Sequence, residues 1–221
     1  MKLTSIVGSV LYGYDDPKSD VDVKGVFTLP LEQRLSPLGF QSTRTEKEYA
    51  FGVPPTPNIK YEIRMLEFSE FLKKLWQADL NTWETLYSTR VLEEDSEMQH
   101  FRYNVSETFC RPNLLRERAF KMATYHHMKA LEDNDGKKAV HALKSLWLTI
   151  GVLTKGFDYT QRMDGDILWS IRHVFDSFKV TFETDYEILT KALEDIKLPK
   201  DQTQLNEKHL EYVRSVYVKE S

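Results

Sequence analysis

Asp20-Val21-Asp22 opens an alternating run that continues through Val23-Lys24-Gly25-Val26-Phe27. In an extended strand, residues i and i+2 point to the same face. Asp20 and Asp22 therefore project together, while Val21 and Val23 turn toward a core. A strand of this kind needs sheet neighbours to cover its apolar side. Upstream, the strand-like run Lys2–Val7 ends in Gly8-Ser9, and ten residues separate Ser9 from Asp20. Two adjacent carboxylates raise each other's pKa unless a cation is present. Mg²⁺ takes oxygen donors, commonly one or two carboxylates plus substrate phosphates. Gly8 permits close backbone approach, and Ser9 offers a hydroxyl to such phosphates. Ser-Asp-x-Asp also serves as ordinary turn chemistry. With strands on both sides, the pattern points to metal-assisted phosphoryl or nucleotidyl transfer.

The rest of the chain changes character near residue 105. Lys60–Leu66 alternates and predicts a third strand, with Glu62 and Arg64 on one face and Tyr61, Ile63 and Met65 on the other. Paired beside Val21–Phe27, that strand would bring Glu62 toward Asp20 and Asp22; alone, Glu62 and Arg64 would equally form a solvent face. Pro30–Pro57 is rich in Pro, Gly, Ser and Thr and reads as a long irregular insertion that could cover the site as a lid. Phe68–Trp76 has helical spacing. Asn81 is the expected N-cap of a helix through Tyr87, with Glu84 completing a capping box rather than acting in catalysis. Arg64 and Lys24 could supply charge, although Lys24 is expected at the surface, and the charged, ambiguous stretch Glu93–Asn104 marks the approximate boundary. Beyond Asn113 the period turns to 3.6, predicting helices over Leu114–Leu131, Lys137–Lys155, Asp164–Phe178, Asp185–Ile196 and Gln204–Val218. His126 and His127 diverge by about 100° on a helix, which argues against a shared metal site there. The expected fold is α+β: a mixed-sheet part at 1–105 and an all-helical part at 106–221.

The motif Gly8-Ser9, Tyr12-Gly13 and Ser19-Asp20-Val21-Asp22-Val23-Lys24-Gly25-Val26 resembles the signature of the DNA polymerase β-like nucleotidyltransferase superfamily. Its extended form is similar to a branch linked to RNA repair, some members of which are carried by bacteriophages. Tyr61–Phe71 with Asn81–Leu86 resembles that branch's third-carboxylate strand and following helix, and His141–Lys144 and Asp166–Arg172 resemble its helical part. Glu62 stands where an Asp is usual, and Lys144 where the branch tends to have Arg. The resemblance implies transfer of an NMP from an NTP such as ATP to a hydroxyl acceptor, with release of pyrophosphate. It implies two Mg²⁺ ions on Asp20, Asp22 and Glu62, and nucleotide contacts from Gly8, Ser9, Ser19, Arg64, His141 and Lys144. An RNA or tRNA end is the candidate acceptor. A catalytically silent nucleotide- or RNA-binding module remains the alternative.

Composition limits the other classes. The 221 residues carry 41% hydrophobic side chains, enough for a core, with no apolar run of membrane-spanning length and no leader pattern. One cysteine, Cys110, precludes an intrachain disulfide and fits a reducing, cytoplasmic setting. The net charge of −4 argues against strong nonspecific nucleic-acid binding. Residues 111–155, however, hold nine Lys/Arg against four Asp/Glu, so a basic segment sits inside an acidic chain.

Overall fold

The computed structural model describes residues 2–15, 20–36, 42–46, 61–154, 164–202, 204 and 206–218. Ser19 and most of the Pro30–Pro57 insertion lie outside them. Within that insertion, α2 (Leu31–Arg34) and β3 (Thr43–Glu46) are described. The chain begins β1 (Lys2–Val7), α1 (Gly8–Tyr12) and β2 (Val21–Phe27). After α2 and β3 come β4 (Tyr61–Glu67), α3 (Phe68–Trp76), α4 (Leu80–Tyr87), β5 (Val91–Glu94) and α5 (Ser96–His100). The helices α6 (Pro112–Asp133), α7 (Gly136–Leu153), α8 (Gly165–His173), α9 (Phe175–Asp195) and α10 (Glu207–Val218) complete it. This is an α+β chain, and among the described residues every strand precedes Asp95.

The five strands form one mixed sheet in the order β3-β4-β2-β1-β5. β1 pairs antiparallel with β2 and β5, while β2 pairs parallel with β4. The parallel register sets Asp22 against Glu62 and Lys24 against Arg64, so these four share one face. On the opposite face Val23, Ile63 and Met65 are buried together, with Val21 packed against them. The polar face continues into the main core through Leu3 and Val26.

That core is one cluster running from Leu3 to Tyr217, with no break at residue 105. α7 is its axis, with Val140, Leu143, Leu146 and Val152 buried along it. α10 returns to the sheet, where the Tyr217 hydroxyl donates to the buried Glu67 carboxylate at 2.6 Å. The Arg34 guanidinium lies over the Tyr217 ring at 3.9 Å.

Three local expectations are corrected. The break expected after Phe178 falls at Val174 instead, where φ −131° and ψ 44° interrupt the helix, and α9 then runs unbroken from Phe175. Residues 179–184 contain neither Gly nor Pro, so nothing there stops a helix. The charged stretch Glu93–Asn104 forms the end of β5, α5 and a short helical continuation. It is ordered by buried Arg102, which donates to the carbonyls of Leu86 and Ser88 and to Glu94. Helix α4 starts at Leu80, and its N-cap is Asp79, whose carboxylate accepts from the Thr82 amide at 2.8 Å. The turn into it uses Ala78 at φ +57°, which places Asp79 rather than Asn81 at the helix end.

Candidate active site

The sequence brings the two parts of the chain together at one cavity of about 390 Å³. Gly8 and Ser9 enter it from the start of α1, just after β1, Asp20 from just before β2 and Asp22 from within it, and Glu62 and Arg64 from β4. His141 and Lys144 reach it from α7. Every expected site residue among the described ones therefore lines the same space.

Gly8 is required where it stands. Its φ is +69°, and a Cβ there would lie 2.5 Å from Asp22 Oδ2. The turn and the carboxylate strand approach too closely for any side chain, and the backbone conformation is one that L residues rarely adopt. Ser9, the next residue, lines the same cavity as Asp22.

The carboxylates are crowded. Burial pushes the Asp22 carboxyl up, and Glu62 and Glu84 push it further, while Lys24 and Lys144 partly offset the rise. A cation would relieve that repulsion. The donors at this end are oxygens alone, which suits Mg²⁺ rather than a softer ion. Glu62 is turned sideways, however. Its Oε1 accepts from Arg64 Nε at 2.8 Å and from the second guanidinium nitrogen. Among the described residues, no three His, Cys, Asp or Glu side chains stand together as a metal cluster. Asp20, Asp22 and Glu62 thus share a cavity without yet converging, and Glu62 would exchange Arg64 for an ion.

Two residues expected elsewhere belong to the site. Glu84 is no cap: its side chain is 1% exposed and lines the cavity. Its Oε1 accepts from Lys144 Nζ at 3.0 Å and from the Gly8 amide at 3.4 Å. Burial alone would raise the Glu84 carboxyl, but the Lys144 and Lys24 charges, the Lys144 hydrogen bond and the Gly8 amide together lower it. Lys24 is half-buried at the cavity, its side chain 26% exposed. It donates to Asn81 Oδ1 at 3.2 Å and lies 3.9 Å from Glu84 Oε2. The sequence held one signal for both. In Leu80–Tyr87 all residues but Asn81 are buried, and a Glu inside such a segment must find a buried cation.

The far wall is cationic. Lys137 and Arg172 line it, and the Arg172 guanidinium stands 5.7 Å from the Tyr14 ring. His141 is held neutral: burial, then Lys144, His126 and Lys137, pull its pKa down to about 4. It can donate or accept a hydrogen bond near neutral pH but carries no charge there. The cavity therefore pairs a carboxylate wall on the sheet with an ammonium and guanidinium wall on the helices. That is the charge pattern needed by a polyphosphate bridged to a divalent cation. A scan against protein-family models and a search of curated proteins return no match.

Proposed function

We propose that this chain is a Mg²⁺-dependent nucleotidyltransferase with a polymerase β-like sheet, which moves an NMP from an NTP to a hydroxyl acceptor. The observation that carries this reading is the meeting of Gly8, Ser9, Asp20, Asp22 and Glu62 with Lys144 in one cavity. It is supported by the parallel register that sets Glu62 beside Asp22.

Asp20 and Asp22 would hold Mg²⁺, with Glu62 completing the set. Bound there, the ion would acidify the acceptor hydroxyl and neutralise developing phosphate charge. The chain's own groups do the remainder. Ser9 and Lys144 hold the triphosphate, and Lys137 and Arg172 neutralise its outer oxygens. The acceptor oxygen forms a bond to the α-phosphorus as the bond to the bridging β-oxygen breaks. Its proton passes to the Glu62 carboxylate, and pyrophosphate leaves toward the cationic wall. Neutral His141 orients a phosphate or hydroxyl by hydrogen bonding.

The deciding experiment supplies each α-labelled NTP with Mg²⁺, total RNA and lysate, and follows the label. Wild type should transfer it; Asp20→Asn and Asp22→Asn should lose roughly 100-fold or more, the scale of a lost charge-stabilising group, with the fold intact. Equal turnover by either variant would refute the assignment. The engagement of Glu62 by Arg64 favours one second reading, a nucleotide-binding module that does not transfer. Under it, Mg²⁺ and NTP together would raise the melting temperature without any transferred label.

A further inference from the structure

We propose that Glu84 is a positioning residue that fixes the Lys144 ammonium against the Gly8 turn, ready for an anionic phosphate chain. The proposal rests on the nucleotide reading above. Glu84 is only 1% exposed, so its carboxylate must be satisfied inside the protein. One oxygen takes both Lys144 and the Gly8 amide, and the other faces Lys24. A single carboxylate thereby ties together the β1–α1 turn, β2 and α7. The Lys144 side chain is 13% exposed, and its Nζ stands 5.4 Å from the Tyr12 ring centroid.

The charge pattern gives the arrangement a purpose. Lys144 is faced by Glu84 from α4, Tyr14 from the segment after α1, and Asp22 and Lys24 from β2. His141 lies on its own helix and His126 on α6. Burial pulls the ammonium down, but Glu84, then Tyr14 and Asp22, more than offset this and keep it charged. Without its partner, a lysine so deeply buried sheds its proton or swings away. Because Glu84 already holds the Gly8 amide, a phosphate arriving at the turn meets that amide engaged. It must rely on Lys144, which keeps two further ammonium hydrogens to donate.

Positioning and simple charge counting predict opposite signs. Removing a carboxylate from a phosphate cavity should tighten anion binding if only net charge mattered. If Glu84 positions Lys144, Glu84→Gln should instead weaken it. The probe is inorganic triphosphate without metal, titrated by calorimetry into wild type, Glu84→Gln, Lys144→Met and the double variant. The expected result is about tenfold weaker binding for Glu84→Gln, the scale of one charge-assisted hydrogen bond. The double variant should bind no more weakly than Lys144→Met alone, because both act through one ammonium. Unchanged or tighter binding by Glu84→Gln, or additive losses in the double variant, would overturn the proposal.

Glu84→Asp covers the case in which the glutamine variant does not fold. It keeps the charge but shortens the reach by one methylene, and should still weaken triphosphate binding; wild-type affinity there would overturn the proposal. A ligand-free measurement separates this inference from the reading beneath it. In wild type the Lys144 ammonium should give a slowly exchanging ¹H–¹⁵N signal, identified by its loss in Lys144→Met. That signal should vanish in Glu84→Gln or Glu84→Asp. If wild type binds no triphosphate, the nucleotide reading fails, and the NMR signal alone decides whether Glu84 holds Lys144.

Discussion

Gly8 is the residue on which the rest of the site depends, because its missing side chain lets the β1 turn touch the carboxylate strand. Gly8→Ala adds a Cβ at 2.5 Å from Asp22 Oδ2 and forces a positive φ on alanine. The conformation alone costs about 1–2 kcal/mol, and the contact displaces Asp22. Chemical denaturation should show that loss, and transfer should fall with it; a variant of wild-type stability and activity would contradict the close approach. His141 gives a second prediction at this scale. Its folded pKa of about 4 lies below the ordinary value of roughly 6.5, so the unfolded chain binds the extra proton first as pH falls. The stability due to neutral His141 is complete above pH 6.5 and is lost on acidification through pH 4. At about 1.4 kcal/mol per unit, the loss is at most about 3 kcal/mol. Urea unfolding at pH 7, 5.5 and 4.5 should show the advantage of wild type over His141→Gln shrinking with pH; a constant gap would refute it. These two residues also mark what could be read in the sequence. Gly8, Asp20 and Asp22 stood out because a turn and a period of two are local. Glu84 did not, because its meaning is a partner 60 positions away, and only the apolar company of Trp83 and Leu86 hinted at it.

At the scale of elements, β2, β4 and α3 were legible because alternation and helical spacing are strong in them. Breaks were less so: α9 continues through Val180 and Thr181 because β-branching disfavours a helix only slightly. The placement of α4 depended on Ala78 taking a left-handed turn, which alanine seldom signals. Packing between α7 and α8 was invisible for the same reason, since it lies in an absent side chain. A Cβ on Gly136 would lie 2.2 Å from the Ile171 carbonyl and 2.6 Å from that of Arg172. The start of α7 thus sits against the end of α8, and that contact brings Lys137 and Arg172 to the same cavity wall. Gly136→Ala must push the helices apart at a cost of about 1–3 kcal/mol, as for other overpacked contacts. Triphosphate affinity should fall with it, because Arg172 moves while staying in the sequence. Stability lost with affinity unchanged would mean that Arg172 does not meet the phosphates.

Across the whole molecule, charge is arranged unlike the sequence count suggests. Four of the nine basic side chains at 111–155 are held in pairs: Lys121 with Glu117, Lys129 with Glu132, Lys138 with Asp133 and Asp135, and Lys144 with Glu84. All but the buried Lys144–Glu84 pair are exposed and contribute little to stability, yet each lowers the local positive field. At the cavity, Lys137 and Arg172 carry no carboxylate partner among the described residues. If the acceptor is an RNA end, then before NTP arrives its backbone meets about two such cations rather than a basic face. Each phosphate neutralised on a single strand contributes about −0.7 to the slope of log affinity against log salt. Two contacts give a slope near −1.4, with Lys137→Met making it shallower by about 0.7. Binding of a single-stranded oligonucleotide without NTP, which leaves both cations free, measured from 50 to 300 mM salt, tests this. A slope steeper than about −4 would require a basic track of six phosphates or so, and would move the acceptor site away from the cavity onto the helical surface. A slope near zero would favour a small-molecule or protein hydroxyl, which brings no phosphate backbone to neutralise.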